Sequence, residues 1–328
     1  MHSGNYRLQK VTDSEQWDLF IKKSEYGTIF QYSDFIEALE INHSRYFIYN
    51  KNELRAAIMT AENDLGTEAI LDDFLIYGGI IFGASTHGQN YSQIHSEQFR
   101  ISEFVSEALI KIYKNVEIVM SPKINDIRPF LWVNYHSDLN GYDVDVRYTS
   151  YLNISDFSHS NKIDDIHIYS QAAKTRRQEI RYANREGVVT SEEYDADSFI
   201  SLYSNTMKRQ SIDMDTKSLT RMRNIITRLH DSNLLKMYLS RTQDGQLGSI
   251  ACFAIDHNRA YYLFGANDPK LRDFHTGTAV LWDAFYELNK AGIEEVDLEG
   301  VNSPNRGWFK LSFGGDIRPY YKLKYQEL

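Results

Sequence analysis

Cysteine is nearly absent: Cys252 is the single one among 328 residues. No disulfide can therefore form within the chain. Cys252 stands in the apolar run SIACFAID and reads as a small buried hydrophobe. The ten histidines show no HExxH or other metal spacing, so no metal is expected. No GxSxG elbow occurs, which argues against covalent serine chemistry. Proline is scarce, at 5, and no Pro/Gly/Ser-rich tract interrupts the chain. Two halves packed together are expected rather than domains on a tether. No stretch approaches the ~20 apolar residues of a membrane span. The opening MHSGNYRLQK has no apolar signal core. A cytoplasmic location is expected, with peripheral contact at the inner membrane left open. A basic excess is also missing: 36 Lys and Arg face 45 Asp and Glu, for a net charge of -9. That removes the whole-chain footprint of a DNA-binding protein.

What is present is an ordinary globular composition, 42% hydrophobic and 25% charged, with an unusual 23 tyrosines. Tyrosines at that density suit half-buried sheet and rim positions, or a cleft where ligands stack. The length suits two domains of roughly 150 residues. In the second half, Phe199, Leu202, Tyr203 and Met207 recur at helical spacing over 195–209. Strands follow at 234–241, 248–256 and 259–265, then a helix over 277–290 with Leu281, Phe285 and Leu288 on one face. Gly292 is placed to stop that helix. EEVDLEG is a short strand, and a last strand fits 317–325. The first half repeats the order: a short helix near 33–40, strands at 45–50, 54–61 and 74–83, a helix over 94–114 and the strand NVEIVMS. A strand meander, a helix and a strand, twice over, point to α/β or α+β architecture in two similar domains, 1–150 and 151–328.

The C-terminal segment GIEEVDLEGVNSPNRGWFKLSFGGDIRPYYKL carries the densest chemistry. Asp297 and Glu299 are two apart on a strand and so share a face, at the strand's carboxyl end where open α/β sheets place ligands. A polar loop with Asn302 and Asn305 follows, then Phe309 and Lys310 before Gly314 and Gly315. A lysine among aromatics and glycines can approach a ligand and stabilise an oxyanion, as acyl transfer requires. A plain surface lysine is the competing reading. Helix 171–187 sets Lys174, Arg177, Arg181 and Arg185 at steps of three, four and four, one basic stripe. It serves either as a solvated face, which Glu179 and Glu186 favour, or as a phosphate contact. In LRDFHTGTAV, a Gly-Thr pair opens a helix whose amides could hold a pyrophosphate.

The segment resembles the C-terminal signature of the Fem-type transferases of the GNAT superfamily, closest to their relatives in surface-polysaccharide pathways. The matching residues are Asp297-Leu298-Glu299-Gly300, Phe309-Lys310 and Phe313-Gly314. GTIFQYSDFIEAL, YGGIIF, RYTSYLNIS and RRQEIRYANREGV resemble further family segments, in family order over most of the chain. The resemblance implies two tandem GNAT-like domains, each a mixed sheet with flanking helices, and an acyltransferase that joins an acyl or aminoacyl donor to an amine. It implies that Phe309 and Lys310 bind the reacting end of the donor and stabilise the tetrahedral intermediate. It implies that Arg209 contacts acceptor phosphates. Asp297 or Glu299 is then the group that orients or deprotonates the amine. Lys174, Arg177, Arg181, Asn302 and Asn305 are candidate substrate contacts. The GNAT pyrophosphate turn is matched in part, by Gly277, Thr278 and Ala279, while Phe274 stands where the pattern has Arg or Gln. No cofactor is expected to be tightly bound; acyl-CoA or aminoacyl-tRNA is the expected co-substrate.

Two departures bear on the acceptor. The inserted helical hairpin of many peptidoglycan members has no counterpart here. Between Gln31 and Asn42 there is no basic residue where such members carry a pyrophosphate-binding lysine. The missing lysine argues against a muramyl-pentapeptide acceptor, and the resemblance of GVNSPNRGWFKLSFGG to the surface-polysaccharide relatives implies an amino-sugar nucleotide or lipid-linked sugar of the cell envelope instead. Aminoacyl-tRNA-dependent transfer to a peptidoglycan precursor and a non-catalytic glycan- or nucleotide-binding module are the alternatives.

Overall fold

The computed structural model describes residues 6–160, 162–209 and 214–327. In sequence order its strands are β1 (Tyr6–Lys10), β2 (His43–Asn50), β3 (Glu53–Glu62), β4 (Glu68–Ile70), β5 (Gly79–Phe82), β6 (Asn115–Val119), β7 (Asp143–Asn153), β8 (Val189–Glu192), β9 (Leu235–Arg241), β10 (Leu247–Ile255), β11 (Ala260–Asn267), β12 (Glu295–Asp297) and β13 (Asp316–Gln326). The helices are α1 (Ser14–Lys23), α2 (Ser33–Leu39), α3 (Tyr91–Ile112), α4 (Arg128–Leu131), α5 (His167–Gln171), α6 (Lys174–Arg185), α7 (Ala196–Arg209), α8 (Thr216–Asp231), α9 (Thr276–Lys290) and α10 (Pro304–Leu311). The fold is mixed α/β. Met1–Arg147 with Pro319–Leu328 forms one compact unit and Tyr148–Arg318 the other. The last ten residues thus lie with the first half, although they follow the second in sequence.

The first unit starts from an antiparallel meander, β1-β2-β3, with β4 and β5 both antiparallel to β3. Helix α3 then carries the chain over to β6, which runs parallel to β4 and antiparallel to β13. The helix forms because Ile101, Val105 and Leu109 repeat at its turn spacing and bury with Ile58, Val116 and Leu323. Its start is closed by a reciprocal cap. Asn90 accepts from the Gln93 N–H at 3.0 Å, and Gln93 accepts from the Asn90 N–H at 2.9 Å. The strand expected over 74–83 shrinks to Gly79–Phe82. A turn over Asp72–Leu75 and the left-handed Gly79, φ 72, use up the residues before it.

The second unit repeats the plan. Strands β8, β9, β10 and β11 are antiparallel neighbours in that order. Helix α9 then crosses to β12, parallel to β11, and β7 closes the far side of β12 antiparallel. Leu281, Phe285 and Leu288 are fully buried against Leu152, Phe253 and Val296. Each such burial contributes roughly 1.5–3 kcal/mol. Gly292, at φ 91, ends the helix, with the Ile293 N–H returning to the Leu288 carbonyl at 3.0 Å. Among the described residues no helix is long and apolar enough to cross a membrane.

Candidate active site

The site grows from a short parallel pair. Strands β11 and β12 match only at Ala260 with Val296 and Tyr261 with Asp297. Strand β12 then stops, while β11 continues to Asn267. A bulge helps it diverge: opposite β10 the register steps from Phe264 to Tyr262, leaving Leu263 extra. The carboxyl ends of two parallel strands thus open apart, and the N-terminus of the crossover helix α9 follows β11 at that same end of the βαβ unit. That is where α/β sheets hold ligands.

Asp297, fully buried, accepts the Thr149 hydroxyl and, on the same oxygen, the Glu299 N–H at 2.7 Å. Glu299 is past the strand end, in the left-handed region at φ 52. Glu299 therefore does not share a strand face with Asp297 by alternation. The backbone reversal, tied down by Asp297, is what turns Glu299 inward. Glu299 is 5% exposed, and its Oε1 has no hydrogen-bond partner among the described residues. Burial, and then the Asp297 charge, push its carboxyl well above the usual range, against a smaller pull from Lys310. Helix α10 supplies Phe309 and Lys310. The Lys310 ammonium lies 3.5 Å from the Glu299 carbonyl oxygen and 5.3 Å from the Tyr262 ring centre. Although its stem keeps some exposure, burial of the ammonium holds it below the usual lysine range, opposed by Glu299 and Asp297. A buried carboxyl and a buried amine whose ionisations are driven toward each other form an arrangement suited to proton transfer. Tyr262 was not foreseen from the sequence. Strand position and type alone do not distinguish it from its neighbours, and only the bulge brings it to the lysine.

The remaining sequence candidates fall elsewhere or act otherwise. Asn302 uses both ends of its amide on Tyr148, accepting from the N–H at 2.8 Å and donating to the carbonyl at 3.0 Å. It pins the loop rather than presenting the amide to a substrate. Lys174 and Arg181 are exposed and Arg177 half-exposed on the outer face of α6. The side chains of Arg209 and Asn305 lie outside the described residues. Helix α9 starts at Thr276, after a left-handed His275 that gives no side-chain cap. Thr278 and Ala279 are buried, and both of their N–H groups return to the His275 carbonyl at 3.0 Å. The Thr278 hydroxyl is engaged by Arg176 and Glu179. A phosphate can therefore be offered only the first amides of the helix and the bare Gly277, whose missing Cβ leaves Asn267 Oδ1 the room it needs, 2.6 Å away. Residues of this kind fit an acyl-CoA pyrophosphate through backbone alone. Among the described residues no cluster of His, Cys, Asp and Glu could hold a metal ion.

A cavity of about 320 Å³ lies in the first unit, around Glu68, Asn115, Glu117 and Lys324. It opens where β4 and β6 begin, not at their carboxyl ends. Its polar walls are paired with one another: Asn115 donates to Glu68 at 2.5 Å, and Lys324 meets Glu117 at 3.3 Å. No side chain there points to chemistry.

A family model for the acetyltransferase (GNAT) domain matches residues 170–309, the stretch that contains α6 and the diverging strands and ends at Phe309, one residue before Lys310. The chain carries a GNAT-type acetyltransferase domain. It is an acyltransferase, and its overall fold is Fem-like. FemX superposes with a TM-score of 0.66 at 14% identity, covering 96% of each chain. L-PGS from Bacillus licheniformis gives 0.52 at 14% identity, over 96% of this chain and 92% of that one. A tandem GNAT protein from the clavulanic acid biosynthesis pathway gives 0.52 at 9% identity, over 98% of both. No curated protein matches the sequence. At these identities the likenesses establish the tandem GNAT fold.

Proposed function

We propose that the protein is a cytoplasmic N-acyltransferase that forms an amide on an amino group of a cell-envelope glycan precursor, an amino-sugar nucleotide or a lipid-linked sugar. The observation that carries this reading is the buried Glu299 with an unpartnered carboxyl oxygen beside a buried Lys310, at the mouth of the diverging strands. In its ionised form Glu299 takes a proton from the acceptor ammonium or from the attacking amine. The amine nitrogen forms a bond to the donor carbonyl carbon. Lys310, as ammonium, stands to stabilise the oxyanion, and the bond from that carbon to the leaving sulfur or oxygen then breaks. Asp297 is assigned to orientation, because the Thr149 hydroxyl and the Glu299 N–H already occupy it. Phe309 is assigned to the reacting end of the donor. Acyl-CoA, when bound, supplies the activated acyl group, and the first amides of α9 with Gly277 are the residues that would hold its pyrophosphate.

A second donor reading rests on the basic stripe of exposed Lys174, Arg181 and Arg185 with half-exposed Arg177, which suits an extended phosphate backbone. It makes the donor aminoacyl-tRNA and brings a peptidoglycan precursor back as acceptor. The deciding experiment combines mass spectrometry of ligands retained by the purified protein with a donor screen of acyl-CoAs and charged tRNAs against amino-sugar nucleotides. Amide formation with an acyl-CoA supports the first reading, and formation only with charged tRNA supports the second. Binding of a glycan or nucleotide with no transfer from any donor leaves a binding module and sinks both.

A further inference from the structure

Of the five basic side chains on α6, Arg176 is the buried one, at 6% exposure. Its guanidinium lies 4.3 Å from the centre of the Phe309 ring and 4.7 Å from that of Phe313. Its Nε donates to the Ser312 hydroxyl at 2.9 Å. Its Nη1 donates to the Glu179 carboxylate and to the Thr278 hydroxyl, and Thr278 donates in turn to Glu179 at 2.7 Å. One side chain therefore touches three elements: its own helix, the first turn of α9, and the end of α10 that carries Phe309 and Lys310. Backbone contacts bring the same surfaces together. The Ala173 N–H donates to the Ser312 carbonyl at 2.9 Å. Gly314, at φ 87, lies so close to Gln171 that a Cβ would stand 2.7 Å from its carbonyl carbon. Ser312 also donates to the Phe309 carbonyl at 2.6 Å, which fixes the turn that bears Lys310.

We propose that Arg176 is a positioning residue: it clamps the Phe309–Lys310 turn of α10 against the first turn of α9 and so sets where the Lys310 ammonium stands relative to the donor. The chemistry favours arginine. Only a planar fork satisfies a hydroxyl, a carboxylate and a second hydroxyl at once while presenting its face to aromatic rings. A lysine keeps the charge but loses the fork, and a methionine keeps the packing but loses both. The assignment rests on the catalytic reading of Lys310.

Trace labelling of the full chain with acetic anhydride, read by peptide mass spectrometry across a pH series, follows the titration of Lys310 with the exposed Lys217 and Lys270 as internal references. In the unaltered protein Lys310 should titrate below the references. In R176K and R176M its midpoint should rise toward theirs, with a smaller rise in the single-contact variants T278V and S312A. Where turnover is measurable, R176K should lose about a hundredfold in kcat, the scale of a 1 Å misplacement, with little change in CoA affinity. A folded R176K with an unmoved Lys310 midpoint overturns the proposal, as does a native Lys310 that titrates with the references. Should the Arg176 variants fail to fold, unmoved midpoints in both T278V and S312A overturn it equally. Full turnover by K310M would refute the catalytic reading alone and leave the titration result standing.

Discussion

Glu299 and Lys310 each hold an ionisation that burial disfavours. Two consequences follow, and their signs differ. For Glu299 the folded-state pKa is raised, so between the unfolded and folded values the native state holds the extra proton. Stability from this group is fully present at low pH and declines as pH rises through the folded value. E299Q should therefore melt higher than the native protein at pH 8, and the gain should vanish toward pH 4, as read by thermal melts across that range. Its turnover should fall by roughly 100- to 10,000-fold if the carboxylate is the base. For Lys310 the folded value is lowered, so its charge is lost at a lower pH than for a surface lysine. The rate should climb with pH as Glu299 ionises and drop as Lys310 deprotonates, giving a bell whose limbs lie closer together than those of an ordinary Glu and Lys. Steady-state rates over pH 5 to 11 test this, and E299Q should remove the acid limb. K310M should keep the fold and lose roughly 100- to 1000-fold in kcat, with donor affinity nearly unchanged. A K310M variant that melts normally and turns over normally leaves Lys310 with no part in the chemistry.

Elements, rather than residue types, decide which of these groups meet. Helix α9 was plain in the sequence because Leu281, Phe285 and Leu288 mark one face and Gly292 its end. Helix α8 is marked as clearly, by Met222, Ile225, Ile226 and Leu229 and by Asp215, which accepts the Ser218 N–H at 2.7 Å, and it stands outside the elements expected from the sequence. Helix α10 was hidden for a physical reason. Pro304 and Gly307 within eight residues read as a loop, and the Gly307 position tolerates no Cβ because the Val301 carbonyl packs against it. Tertiary contact, not propensity, makes that helix. In α6 the basic stripe at 174, 177, 181 and 185 takes the outward face, and Arg176, Ile180 and Ala183 at i, i+4 and i+7 face inward, a second role that the stripe itself does not reveal. The start of α9 offers a test at the same scale. G277A should gain helix propensity, yet its Cβ would stand 2.6 Å from Asn267 Oδ1, which the Ser249 hydroxyl holds at 2.7 Å. The variant should fold with a melting point near the native one and bind CoA about tenfold more weakly, the loss of one or two amide contacts. Calorimetric titration checks it, and unchanged affinity would move the pyrophosphate away from α9.

At the scale of the whole molecule, the chain contains the same crossover twice, but the two ends differ. In the second unit the parallel strands part after two residue pairs, and the crossover helix begins without a side-chain cap. In the first unit the corresponding helix, α3, has its first donors occupied by Asn90 and Gln93. Its parallel strands separate after β4 but rejoin at Gly78 and Met120, where the Gly78 N–H donates to the Val119 carbonyl at 2.8 Å. The space left there, lined by Leu71, Leu75 and Gly79, amounts to about 10 Å³. That is the room of a single water at most, and a pantetheine chain cannot enter. The first unit thus keeps the GNAT-like plan with its donor end shut, and the protein should bind one acyl donor per chain. Titration calorimetry with CoA should give a stoichiometry near one. The N90A variant, which frees an amide at α3 at a cost of about 1 kcal/mol, should lower the melting point without adding a second site. G277A should weaken the single isotherm rather than abolish one of two. A stoichiometry of two, or binding that survives in G277A and is lost in a variant of the first unit such as G79V, would show that the first unit opens and that the donor site has been assigned to the wrong half of the chain.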